Sequence, residues 1–401
     1  MTTFDEALNI ILNSTKIGTR RISLSPINAL NRITFSDISS KIDYPAENNS
    51  AMDGYAIVSS LTKNVSQSCK IDLKLHNTTI YAGTIYKERI KKDLSVKIMT
   101  GGYMPDGFDA VIPAEQSIIA NGRLIVTSPV KTGLNVRFKG EDIKKKEKII
   151  KKNTKLSHES IALLSACNIK KVPVYDDIPV SIISTGNEII SPGQTYKHGK
   201  VINSNGILAA SFLSGNGCRI IKNTICKDRT WSIRKEISAS LEDSRIIITS
   251  AGASFGEKDF TEQVLLDLGL KLKIRQVGIK PGKPFSFGLI NKMPVFIMPG
   301  NPVAFFICLI VFVKPFIERQ LGIINNENIT SKITSDFHKN HDRREFIPAK
   351  TFIKDGCLYS EPYKKIGPAM ISGFGSINSI ISLPENLKDI KTHDNLDVYL
   401  L

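Results

Sequence analysis

The sequence holds 401 residues, more than one ordinary hydrophobic core can serve, so about two to four domains are expected. Hydrophobic residues make up 41% of it, and the nearest approach to a membrane span, Val303 to Phe316, is interrupted by Lys314 and Pro315; this excludes a transmembrane helix and leaves a globular chain with no membrane partner. The formal charge of +16 is spread along the chain, and its densest run, Lys144 to Lys152, has no interleaved aromatics, so it reads as a solvated face or linker and no nucleic-acid partner is expected.

Thr3 to Leu12 has the spacing of a short amphipathic helix, with Phe4, Ala7, Leu8 and Ile11 on one stripe. A second helix is expected from Ser25 to Asn31, with Ser25 as cap and Pro26 in its first turn. Short strands with Gly, Asn and Pro turns follow, at Tyr55–Val58, Cys69–Leu75, Val96–Met99, Ala110–Pro113 and Arg123–Val126, and predict a small β domain. Ser157 caps another short helix.

From Ile178 the pattern changes to alternating strands and helices. Strands are expected at Val180–Ser184, Cys218–Lys222, Arg245–Thr249, Lys271–Val277 and Val295–Ile297. Helices are expected at Ser204–Leu213, Arg229–Leu241, Lys258–Leu268 and Val303–Glu318. Such βαβ units build a mostly parallel sheet. Beyond Leu321-Gly322 the short-strand pattern returns, predicting a second small β domain from about residue 328.

Chemistry is expected on the glycine-rich turns. Met52-Asp53-Gly54, Gly140-Glu141-Asp142, Thr185-Gly186-Asn187-Glu188 and Gly256-Glu257-Lys258-Asp259 each carry carboxylates. Oxygen ligands on such turns suit a hard divalent cation or a general base; each turn taken alone also reads as a simple cap. Glu188 and Asp259 both follow strands of the same sheet, which places them on one edge. Lys280-Pro281-Gly282-Lys283-Pro284 is either a rigid turn with solvated lysines or a phosphate clamp, and local chemistry leaves both open. No P-loop, dinucleotide fingerprint, nucleophile elbow or paired-histidine zinc spacing is present. The cysteines, 6 in all, are scattered without a C-x-x-C; together with the polar, acidic N-terminal residues they point to a reducing, cytoplasmic setting.

In this order, the turns resemble the molybdopterin molybdotransferase family (bacterial MoeA type, gephyrin E-domain-like). The matching stretches are Ser50 to Ala56, Ile98 to Gly102, Arg137 with Gly140 to Ile143, Ser184 to Glu188, Gly252 to Asp259, Lys280 to Pro284, and Pro299 to Pro302. The resemblance implies a multidomain α/β fold. Its parts would be an elongated linking domain (1–50 and 141–177), an inserted small β domain (51–140), a MogA-like α/β molybdopterin-binding domain (178–327) and a C-terminal β barrel (328–401). It implies insertion of molybdate into adenylylated molybdopterin with release of AMP, assisted by a divalent cation, usually Mg²⁺. The family alternatives are a non-catalytic pterin-binding or scaffold paralogue and a molybdopterin adenylyltransferase.

Carried over by position, Asp53, Thr100, Asp142, Glu188, Asp228 and Asp259 are the expected catalytic residues, with Glu188 and Asp259 also handling the metal. Gly252, Ser254, Lys280, Pro281, Gly282, Lys283, Pro299, Asn301 and Pro302 are expected to bind the pterin and molybdate. The family dimer would bring Asp53 and Thr100 from the partner subunit, giving a homodimer with a shared active site. The molybdopterin adenylyltransferase and cofactor-accepting molybdoenzymes are the implied protein partners. Asn187 stands where the family usually has Asp, Ala251 and Ala253 where it has Gly and Val, and Pro368 where it has Ser.

Overall fold

The computed structural model describes residues 1–86, 88–250, 260–323, 329–363 and 371–401. Its first helix, Phe4–Asn13, begins in a reciprocal cap. Thr3 Oγ1 accepts from Glu6 N–H, and the Glu6 carboxylate accepts from Thr3 N–H. Phe4, Ala7 and Ile11 are buried, as the stripe predicts, but their partners lie far along the chain. The Phe4 ring centroid is 5.4 Å from Phe312 and 5.2 Å from Phe346. The expected helix at Ser25–Asn31 is only a 3₁₀ turn, Pro26–Ala29: Ser25 makes no side-chain cap, and Asn31 takes a left-handed φ of 63°.

Pairs of short antiparallel strands join the next segments: Arg21–Leu24 with Val172–Tyr175, Ile38–Ser39 with Lys148–Ile150, and Asn49–Ser50 with Val136–Arg137. A six-stranded mixed sheet follows, in the order Ala110–Pro113, Gly54–Ile57, Leu94–Ile98, Ile71–Ile80, Arg123–Val126, Ile118–Ala120. It packs its own apolar clusters, one around Ile80, Val96, Ile98 and Val111, the other around Ile57, Leu73 and Leu124.

The α/β sheet has the order Cys218–Cys226, Ile178–Thr185, Ile246–Ser250, Met293–Met298, Ser286–Ile290, Lys271–Arg275. Its first four members are parallel; the last two form an antiparallel edge. Every residue of Ile246–Ser250 is buried, because helices cover both faces of the parallel part. The expected helix at Val303–Glu318 forms with a π-helical segment, Leu309–Val313, between Pro302–Cys308 and Lys314–Gln320. Pro315 has no N–H to donate back along the helix, and a wider turn ahead of it accommodates that loss. Among the described residues, no helix is long and apolar enough to cross a membrane.

The C-terminal strands close on themselves. Arg344–Lys354 pairs with both Cys357–Pro362 and Ser379–Leu383, and Ile329–Ile333 and Asn395–Leu400 complete a five-stranded barrel. A two-residue strand from the α/β region, Ile279–Lys280, adds to its edge beside Arg344 and Glu345.

Candidate functional site

The strand registers decide which turns meet. Ser250 is level with Ser184 and Met298, and Thr185 with Cys226. Gly186 to Glu188, Lys227-Asp228 and Pro299 to Asn301 therefore leave the sheet at its carboxyl edge. Lys271–Arg275 is antiparallel to a strand that is itself antiparallel to Met293–Met298, so it runs with the parallel set. Its end, Arg275, is level with Ser286, and Ser286 with Ile297. The turn from Lys280 to Pro284 joins these two strand ends and emerges on that same edge. Carboxylates and lysines from turns far apart in sequence thus share one rim, where α/β sheets bind ligands.

Hydrogen bonds fix the rim's acidic half. The Asn187 amide donates to Asp228 Oδ2 at 3.1 Å, and Lys200 Nζ donates to the Asn187 carbonyl at 2.8 Å. Glu188 is exposed, and its carboxylate lies against Gly186: a Cβ there would stand 2.7 Å from Glu188 Oε1. Glycine is what lets that carboxylate approach the backbone. Both bonds are made by the Asn187 backbone, so they do not depend on which side chain stands at 187.

Behind the rim lies a buried amide. Asn205 Nδ2 donates to Ser250 Oγ at 2.9 Å and to the Gly300 carbonyl at 2.8 Å, tying two strand ends to the first turn of Ser204–Ser214. Asn301 caps the next helix: its Oδ1 accepts from Val303 N–H at 3.2 Å and Ala304 N–H at 3.4 Å, with Pro302 in the first turn.

The basic half is anchored by the barrel. Lys280 Nζ is 2.9 Å from Glu345 Oε1, and His341 Nε2 is 3.1 Å from Glu345 Oε2. The Glu345 side chain is only 4% exposed. Burial of His341 holds its imidazole below the usual histidine range, opposed by the Glu345 charge. Gly282 has φ 119°, and a Cβ there would meet Ile279 Cδ1 at 2.7 Å and Cys308 Sγ at 2.9 Å. Lys283 stays exposed, its carbonyl accepting from Val277 N–H at 3.1 Å.

Asp53 and Thr100 do meet, on the small β sheet. Asp53 Oδ1 accepts from Thr100 N–H and from Thr100 Oγ1, both at 2.7 Å. These bonds, the backbone one foremost, hold the Asp53 carboxyl below the usual aspartate range. Asp142 is exposed, with its amide donating to the Tyr44 carbonyl at 3.2 Å. Among the described residues, no hydrogen bond or ion pair links Asp53, Thr100 or Asp142 to the α/β rim. Gly252, Ser254 and Asp259 lie outside the described residues. Among those described, no group of three or more His, Cys, Asp or Glu side chains is placed to hold a metal ion.

Residues without a signal in the sequence also shape the rim. Glu345 and His341 belong to a barrel segment, and only the Ile279–Lys280 pairing reveals their proximity to Lys280. Asn205 lies one residue inside an ordinary helix pattern, and Lys200 in a loop.

Comparison with known proteins covers most of the chain. Residues 2–168 match the model of the MoeA N-terminal region (domain I and II), 181–319 that of the probable molybdopterin binding domain, and 330–401 that of the MoeA C-terminal region (domain IV). The molybdopterin molybdenumtransferase of Haemophilus influenzae is 32% identical over 323 residues, covering 80% of this chain and 78% of that protein. Its counterpart from Nostoc sp. is 31% identical over 363 residues, covering 88% and 82%. A crystal structure of the molybdopterin biosynthesis moeA protein from Pyrococcus horikoshii superposes with a TM-score of 0.84 at 27% identity, over 100% of both chains. With three successive domain models matched in order, a relative above thirty per cent identity and a shared architecture, this chain belongs to the MoeA family.

Proposed function

We propose that the chain is a molybdopterin molybdotransferase, inserting molybdate into adenylylated molybdopterin and releasing AMP during molybdenum cofactor biosynthesis. The observation that carries this reading is the division of one sheet edge into an acidic half, Glu188 and Asp228, and a basic half, Lys280 and Lys283. Molybdate and phosphate are oxyanions that favour ammonium and backbone N–H groups, whereas Mg²⁺ takes carboxylate oxygen. Glu188 and Asp259 would hold the Mg²⁺, which neutralises phosphate charge when bound. Glu188, exposed on a glycine turn, has the donor chemistry that ion requires.

In this reading Lys280 and Lys283 bind molybdate or the pterin phosphate, Pro281 and Gly282 set the turn, and Pro299, Asn301 and Pro302 form the adjoining wall with Gly252 and Ser254. Asp53 and Thr100 complete the site from a second subunit, and Asp142 is a further catalytic residue. That Asp53 and Thr100, among the described residues, bond to each other and not to the rim of their own chain supports a homodimer. Apolar clusters confined to 1–50 with 141–177, to 51–140, to 178–327 and to 328–401 support those boundaries, while one further cluster, containing Phe4, Phe312 and Phe346, packs the first, third and fourth of these units together.

The test is an assay of the purified chain with adenylylated molybdopterin, Mg²⁺ and molybdate. AMP release that depends on molybdate is the expected result. Binding without release would replace this reading with that of a non-catalytic pterin-binding protein.

A further inference from the structure

The opposite edge of the α/β sheet carries a second cleft. It has a volume of about 170 Å³ and is walled by Ile178 and Pro179 at the start of their strand and by the irregular segment Ile17 to Arg20. Arg219 pairs with Pro179 in the sheet, and the Arg245 amide donates to the Pro179 carbonyl at 2.8 Å. The Asp176 amide donates to the Arg20 carbonyl at 2.7 Å. These contacts bring Arg20, Arg219 and Arg245 to one opening, although they belong to different elements.

The charges there are unequally satisfied. Asp177 is ion-paired with Arg32, and Asp176 lies 4.0 Å from the same guanidinium while its Oδ1 accepts from the Asp177 amide at 2.9 Å. Both carboxylates are therefore engaged. Arg20, Arg219 and Arg245 are exposed, and among the described residues their side chains make no direct hydrogen bond or salt bridge, although the Arg219 charge acts on the Asp177 carboxylate. Arginines lining a common cleft suit an anion with several oxygens, because a guanidinium can bind an oxyanion in bidentate fashion. A cleft of about 170 Å³ admits a small group rather than a peptide segment.

We propose that this amino-edge cleft is a second anion site, binding a small multiply charged oxyanion of the phosphate-ester or pyrophosphate class through Arg20, Arg219 and Arg245. It stands at the far end of the strands from Lys280 and Lys283, so both edges can be occupied at once.

Inorganic pyrophosphate is the probe. Because the lysine turn also attracts anions, the titration is made by calorimetry on the full chain carrying K280A/K283A. One equivalent is expected to bind saturably, and adding R219A/R245A is expected to weaken that binding by at least about tenfold. If the fourfold variant fails to fold, as judged by its melting curve, R20A on the K280A/K283A background replaces it, since Arg20 is exposed on an irregular segment. Absence of saturable binding in K280A/K283A, or unchanged affinity after loss of the arginines, would overturn the site. Neither outcome bears on molybdate-dependent AMP release by the unaltered chain, so this proposal and the proposed function fail separately.

Discussion

Glu345 Oε1 lies 2.9 Å from Lys280 Nζ, joining a barrel carboxylate to the lysine turn of the α/β sheet. The Glu345 side chain is 4% exposed and the Lys280 side chain 42%. A carboxylate so buried depends on its cationic partner. K280M is therefore expected to cost about 1–2 kcal/mol of stability, less than a fully buried pair because water reaches the lysine. E345Q added to K280M restores most of that stability but not turnover. Denaturant melts and AMP release on the same samples separate the two effects; strictly additive stabilities would show that the pair is uncoupled.

The Asp53–Thr100 contact predicts a titration. Asp53 has a depressed carboxyl, so its hydrogen bonds contribute fully above the ordinary aspartate value of 3.8 and are lost as pH falls through the lower native value. T100A removes the hydroxyl donor and leaves the amide. The Asp53 carboxyl is expected to rise part of the way toward 3.8, as read by NMR of its carboxyl carbon. A titration identical to that of the unaltered chain would refute the role assigned to the Thr100 hydroxyl.

If the site is shared between subunits, D53N and K280M/K283M are both inactive alone and complement when mixed. Random reassortment makes half the dimers mixed, each with one intact site, so about a quarter of normal activity returns. Zero recovery from subunits shown to exchange would place Asp53 in the same chain's site or outside it.

Gly186 is predicted to be intolerant. G186A puts a methyl group 2.7 Å from both Glu188 Oε1 and Ile189 Cγ1. The carboxylate must move, and AMP release is expected to drop by about tenfold or more while the fold persists, as for a misplaced catalytic group. Unchanged rates with an unchanged melting temperature would remove Glu188 from the site.

The extent to which the sequence foretold this molecule follows from where each signal resides. Val180–Ser184 and Arg245–Thr249 are legible because their apolar, β-branched runs have no other comfortable home than a buried parallel strand. Ser286–Ile290 is not legible: it follows a Lys-Pro-Gly turn, and Gly288 at its centre argues against a strand. That glycine is needed, since a Cβ would meet the Lys271 carbonyl at 2.8 Å in the neighbouring strand. The rim lysines and Glu188 stand out as residues on glycine turns, but Glu345 does not. Its significance comes only from a pairing between regions, which no local pattern encodes. The order of the turns identified the family, while the sheet register was needed to bring Lys280 and Glu188 to one edge.

The first helix has a consequence for how the chain is made. Asp5 receives a bidentate contact from Arg344, 339 residues later, and Phe4 packs between Phe312 and Phe346. During synthesis, Phe4–Asn13 leaves the ribosome with an apolar stripe and no surface to cover it until most of the chain has followed. At about 5–20 residues per second, that wait lasts tens of seconds. The helix is thus a latecomer to its own core: it is translated before the α/β sheet and the barrel that cover it, and can dock only once their partner residues have been made.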